Sequence, residues 1–165
     1  MVRAASSGTA VVTLPTDTQI LITREFDAPR HLVYKVWTTP ELIKRWWAGN
    51  RGHVTTADVD LRVGGAWRFV MVTHKGFEVA FHGVYREIVP NERMVCTEVY
   101  EGAPGGDDSP VLNSYTFTEK AGRTTVALLC DAPSREVRDL IINSGMEGGM
   151  QEGWDLLEQL AISLL

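Results

Sequence analysis

After residue 50 the hydrophobic pattern takes a period of two and keeps it for about eighty residues; beyond Pro133 it changes to a helical period and keeps that to the end. Strict alternation marks half-buried strands, and recurrence near 3.6 marks an amphipathic helix. A run of strands joined by short turns has one apolar face that something must cover. The only long helical segment follows the strands, so it is the expected cover.

The strands are read from their alternation. Residues 54–64 (VTTADVDLRVG) and 64–76 (GGAWRFVMVTHKG) form the first pair, with Trp67, Phe69 and Met71 on one parity. Residues 77–91 follow, and then ERMVCTEVY, which puts Met94, Cys96, Glu98 and Tyr100 on one side. LNSYTFTEKAGRTTVALLCD reads as a hairpin turning at Ala121–Gly122. Ahead of the run, TQILITREFD at 18–27 is another strand. Two short helices come after it, APRHLVYKVWT and TPELIKRWW, with Pro29 and Pro40 suited to first-turn positions. Residues 1–17 are expected to be a flexible tail and residues 18–165 a single domain. The last helix is predicted as one element from Glu136 to about Leu164.

The total of 165 residues, 44% hydrophobic, suits a single globular domain with a real core. A net charge of −5 gives no reason to expect nucleic acid or an anionic membrane as partner. No segment approaches a membrane span, and the N-terminus lacks a secretory h-region, which predicts a cytoplasmic protein. Cys96 and Cys130 lie 34 residues apart, without a CxxC pattern, and read as buried thiols.

The chain as a whole resembles the helix-grip superfamily that includes START lipid-transfer domains, the birch pollen allergen and the polyketide cyclases (SRPBCC). Within it the similarity is to the branch of the C-terminal domain of the activator of the heat-shock-protein-90 ATPase. ITREFDAPRHLVYKVWTTPELIKRWW at 22–47, VGGAWRFVM at 63–71, GVYREIVPNERMVCT at 83–97 and GMEGGMQEGWDLLEQL at 145–160 carry it. The resemblance implies an α+β fold: a strongly curved seven-stranded antiparallel sheet gripping the C-terminal helix, with an apolar cavity between them. Many relatives carry an aromatic near Glu98, so a carboxylate there departs from the pattern.

Catalytic signatures are missing. The four histidines, His31, His53, His74 and His82, form no HExxH or HxH pair, and no metal is expected. There is no GxSxG and no phosphate-binding glycine loop, so neither a catalytic residue nor a cofactor is assigned. The residues expected to bind a small hydrophobic or amphipathic molecule are Trp46, Trp67, Phe69, Met71, His82, Glu98, Tyr100, Met146, Gly149, Met150 and Gly153. Gly145, Gly149 and Gly153 follow at four-residue steps along one edge of the last helix. Such glycines either admit close backbone approach or leave space open, and the sequence does not choose. Residues 101–110, rich in glycine and acid, are either a gate or a surface excursion. A cyclase- or hydratase-like enzyme and a co-chaperone-like interaction domain stay open as alternatives. So do a homodimer, through a strand edge or the Trp46–Trp47 segment, and a chaperone partner.

Overall fold

The period-two segments pair into a single antiparallel sheet. The computed structural model describes residues 10–102 and 106–165. In chain order the elements are β1 (Val11–Thr13), β2 (Gln19–Phe26), α1 (Arg30–Thr38), α2 (Pro40–Trp46), β3 (Gly52–Val59), β4 (Ala66–Thr73), β5 (Glu78–Val89), β6 (Arg93–Tyr100), β7 (Val111–Lys120), β8 (Arg123–Asp131), α3 (Arg135–Asn143) and α4 (Met146–Ser163). A short 3-10 turn, Gly106–Asp108, precedes β7. The eight strands run in the order β1-β2-β8-β7-β6-β5-β4-β3, so β3 to β8 form a meander and β2 closes onto its last strand. The resulting α+β architecture is the helix grip.

Local chemistry explains the turns and bends. Ala121 and Gly122 both have positive φ, 52° and 75°, which is the two-residue hairpin geometry whose twist matches the flanking strands. Register shifts between Val54 and Thr56 and between Tyr85 and Glu87 mark bulges that bend the sheet. The core centres on Trp37 of α1. Its ring lies 5.1 Å from Trp154, 5.5 Å from Tyr115, 5.6 Å from Trp46, 5.8 Å from Phe117 and 6.0 Å from Phe26. The two short helices, the sheet and the C-terminal helix therefore meet around a single indole, in the edge-to-face arrangements that aromatic quadrupoles prefer.

An ion cluster fixes α4 to the sheet. The Arg24 guanidinium, with no exposed side-chain surface, donates to Asp155 at 2.8 Å and to Glu158 at 3.0 Å. The other Glu158 oxygen accepts from the Asp27 backbone N–H at 3.0 Å.

Two expectations are corrected. The helical stretch after Pro133 is not one element: α3 ends at Asn143, and Gly145 takes a left-handed conformation, φ 82°, ahead of α4. Ser134 caps α3 by accepting from the Val137 N–H at 3.2 Å. The sheet has eight strands, not seven, because Val11–Thr13 pair with Leu21–Thr23. Gln151 of α4 holds the start of that strand, accepting from Ala10 N–H at 3.2 Å and donating to Ala10 O at 2.9 Å. Residues 1–9 of the expected tail lie outside the described residues.

Candidate functional site

Because facing residues of antiparallel strands share a face, the register fixes what the concave side of the sheet presents. Trp67 pairs with Gly83, Phe69 with Phe81, Phe81 with Tyr100, and Cys96 with Asn113. Tyr115 pairs with Met94 and with Leu128, and Asn113 with Cys130. Trp67, Met94 and Cys96 belong to the core cluster, which identifies this as the inner face. Glu98, two residues beyond Cys96 on β6, is on it too.

The apolar part is a chain of rings. Trp67 lies 4.8 Å from Phe69, Phe69 5.5 Å from Trp47, Trp47 5.8 Å from Phe81, and Phe81 5.1 Å from Tyr100. It runs from a buried indole to Tyr100, which is 47% exposed. Gly83 makes the buried end possible. A Cβ there would lie 1.8 Å from Thr97 O and 2.6 Å from Trp67 Nε1, so only glycine lets the indole cross the strand. Across it the Trp67 N–H donates to Thr97 O at 3.1 Å, while the Val84 N–H turns to the Thr97 hydroxyl at 2.9 Å.

The polar part is made of acids. Burial pushes the Glu98 carboxyl above its ordinary range, with a hydrogen bond from Asn113 opposing the shift. Burial also holds the Tyr115 and Tyr85 phenols and the Cys96 and Cys130 thiols protonated. Asn113 is 2% exposed, and its Oδ1 has no hydrogen-bond partner. By accessible surface Glu98 and Tyr115 are only half-buried, yet protein surrounds both closely enough to dominate their ionisation.

The opposite face carries a separate cluster. Arg68 grips Glu101 with Nε and Nη2, each at 2.9 Å. Glu101 also meets His82 Nδ1 at 2.8 Å, and His82 Nε2 reaches Asp107 in the 3-10 turn. Arg68 and His82 hold Glu101 down at about 2, and the hydrogen bonds of Asp107 and Glu101 raise His82. Arg68, His82 and Asp107 border an open groove of about 580 Å3, lined also by Asp58, Trp67, Gly83, Arg86 and Val99.

The concave face thus brings together Trp67, Phe69, Glu98 and Tyr100 of the residues singled out from the sequence. Met71 is buried farther along β4. His82 pairs with Arg68 and Val99, on the other side of the sheet from Glu98. Trp46 is core: its indole N–H donates to Val36 O at 3.0 Å, and it is Trp47 that reaches the sheet aromatics. Met146 and Met150 are half-buried against the core cluster. The helix glycines face α2 and the turn after it. A Cβ on Gly153 would lie 3.1 Å from Trp46 O, and one on Gly149 would lie 3.8 Å from the Arg51 guanidinium. Sequence reasoning weighed Trp46 against Trp47 and chose Trp46, and it passed over Phe81, Asn113 and Tyr115. Period-two parity alone places Asn113 and Tyr115 with Phe117, and that was the available signal. Of residues 101–110, 103–105 lie outside the described residues. Among the described residues no group of histidine, cysteine and acid side chains is arranged to hold a metal, and no helix is long and apolar enough to cross a membrane.

The sequence matches the model of the family described as activator of Hsp90 ATPase homolog 1-like protein over residues 27–161. The chain belongs to this family. Solved structures of similar fold include a protein from Rhodobacter sphaeroides, 22% identical, with TM-score 0.86, covering 95% of this chain and 99% of that one. A Mycobacterium smegmatis protein, 22% identical, gives 0.82 over 94% of this chain and 99% of its own. An AHSA1-like protein from Aeromonas hydrophila, 23% identical, gives 0.64 over 87% and 93%. At these identities the likeness shows the shared fold. A comparison with curated proteins finds no match.

Proposed function

We propose that this family member binds a small apolar or amphipathic molecule between the concave face of the sheet and α4. Its aromatic wall is Trp67, Phe69, Trp47, Phe81 and Tyr100, and its polar anchor is Glu98 with Asn113. The observation that carries this reading is the continuous chain of rings from Trp67 to Tyr100 on the concave face, with the partly accessible Glu98 on the same face of β6. An aromatic face with one partly accessible, desolvated carboxyl is the lining expected of a small-molecule site. Met146 and Met150, half-buried on α4, supply adaptable side chains on the helix side.

Two measurements on the full chain test the reading. Native mass spectrometry after gentle purification is expected to show a retained small molecule. Titration with the neutral dye N-phenyl-1-naphthylamine is expected to raise its fluorescence saturably, and Phe81→Ala to weaken that uptake. A folded protein that retains nothing and leaves the dye dark would overturn the cavity.

A further inference from the structure

We infer that His82 is a proton-dependent tie between the outer face of the sheet and the connection from β6 to β7. With both ring nitrogens protonated, His82 holds Asp107, and with it the turn Gly106–Asp108, against the sheet. When the ring loses a proton, the turn lets go and the groove that Asp107 and Pro110 border widens. This face lies opposite the proposed binding site, and the tie is independent of it.

The proton requirement comes from the geometry. Both ring nitrogens face carboxylate oxygens: Nδ1 meets Glu101 Oε2 at 2.8 Å, and Nε2 meets Asp107 Oδ1. An ionised carboxylate only accepts, and a neutral imidazole has one N–H and one lone pair. In the neutral form one of the two contacts sets a lone pair against an anion, so the ring satisfies both only as the imidazolium. The surrounding charges fit that form. Arg68, opposite His82 on β4, is gripped by both Glu101 oxygens, and Asp58 of β3 and Glu78 of β5 act on it in turn. Val99, opposite on β6, carries no charge; Arg86 borders the groove farther along β5, and Asp108 follows Asp107 in the turn. Asp107 and Glu101 accordingly raise the imidazole above its ordinary 6.5.

Which contact yields on deprotonation depends on what else holds each carboxylate. Glu101 is anchored independently of His82: its carboxylate takes two N–H bonds from Arg68 at 2.9 Å, and its backbone N–H donates to Ala80 O at 2.9 Å. The Asp107 side chain is 80% exposed, and among the described residues no other hydrogen bond joins its turn to the sheet. The remaining proton therefore stays on Nδ1, toward Glu101, and the Nε2 lone pair is left facing Asp107. Two acceptors repel, and the exposed turn is the partner that can move away. The two states differ by one surface ion pair, a difference small enough for a single proton to decide.

Electron paramagnetic resonance on the full chain tests the tie. Ser109→Cys, exposed and next to the turn, is labelled with a nitroxide; wild-type protein, whose Cys96 and Cys130 are buried, is the labelling control. From mildly acidic to mildly alkaline pH the label is expected to lose most of its immobilised component. The midpoint should be that of the His82 ring, followed by NMR on the unlabelled variant. His82→Gln should remove this pH-dependent step. Asp107→Asn should remove it too, because an amide pairs with either form of the ring, accepting from its N–H or donating to its lone pair. A label whose mobility stays constant through the His82 midpoint overturns the tie. So does a step that persists in His82→Gln with a native circular dichroism spectrum, or in Asp107→Asn, whose exposed side chain leaves the core untouched.

Discussion

Glu98 and His82 sit on adjacent strands and opposite faces, and their ionisation is governed by opposite things. Desolvation raises the Glu98 carboxyl above its ordinary 4.5. A group whose folded value is raised contributes stability below its unfolded value, and that contribution is lost as pH rises through the folded value. Wild-type protein should therefore lose stability on going from mildly acidic to alkaline pH relative to Glu98→Gln. Urea unfolding of the two proteins at several pH values measures this, and parallel profiles would refute it. His82 is raised from 6.5 by Asp107 first and Glu101 second, so its ion pairs add stability below 6.5 and lose it as pH rises through the folded value. Glu101 is depressed to about 2, so its share is present above 4.5 and lost only as pH falls toward that value. The His82 ring, followed by NMR, should titrate above 6.5 in the wild type and closer to 6.5 in Asp107→Asn. An unchanged midpoint would mean that Asp107 does not hold the imidazole in solution. Both groups are partly exposed or surface-facing on that side, so the effect on global stability should be small.

At the scale of elements, α4 shows why some of the site could be read from sequence and some could not. Parity in the strands is local, so the inward placement of Trp67, Phe69 and Glu98 follows from alternation alone. The orientation of a helix glycine depends on what packs against it, and α2 with residues 47–51 occupies that position. The choice between Trp46 and Trp47 has the same character: neighbours on a helix point about 100° apart, and only tertiary packing selects. The break at Gly145 was hidden because apolar residues continue at helical spacing on both sides of it. The backbone separates these glycines by experiment. Gly149→Ala places its Cβ in ordinary contact with Arg51, so the helix gain of about 1 kcal/mol should appear as added stability. Gly145→Ala forces a side chain into positive φ, 82°, and should lose about 1 kcal/mol. Thermal unfolding of both variants checks the pair; equal effects would mean that the junction between α3 and α4 is not a left-handed turn.

For the molecule as a whole, the decisive question is what keeps a curved sheet and its helix together if space is left between them. An apolar core cannot do it alone where a cavity interrupts packing, because lining atoms then lack partners on one side. The fold answers along the middle of α4. Gln151 holds Ala10 just ahead of β1, and Arg24 of β2 reaches Asp155 and Glu158, about one and two helical turns farther on. Trp154 fills the space between those contacts, packed on Phe26 and Trp37. Arg24 is fully buried and Glu158 is 2% exposed, so removing the cation strands a desolvated carboxylate. Breaking a buried pair from one side typically costs about 3–5 kcal/mol, whereas replacing all its members together is often neutral. Arg24→Leu should therefore lower the stability of the whole domain by about 3 kcal/mol or more in denaturant unfolding. Arg24→Leu combined with Glu158→Leu and Asp155→Asn should recover a large part of it, which distinguishes a stranded charge from a lost volume. If the single variant unfolds with wild-type midpoint, α4 is held by its apolar contacts alone, and the grip on any bound molecule has to be sought in the aromatic cluster around Trp37.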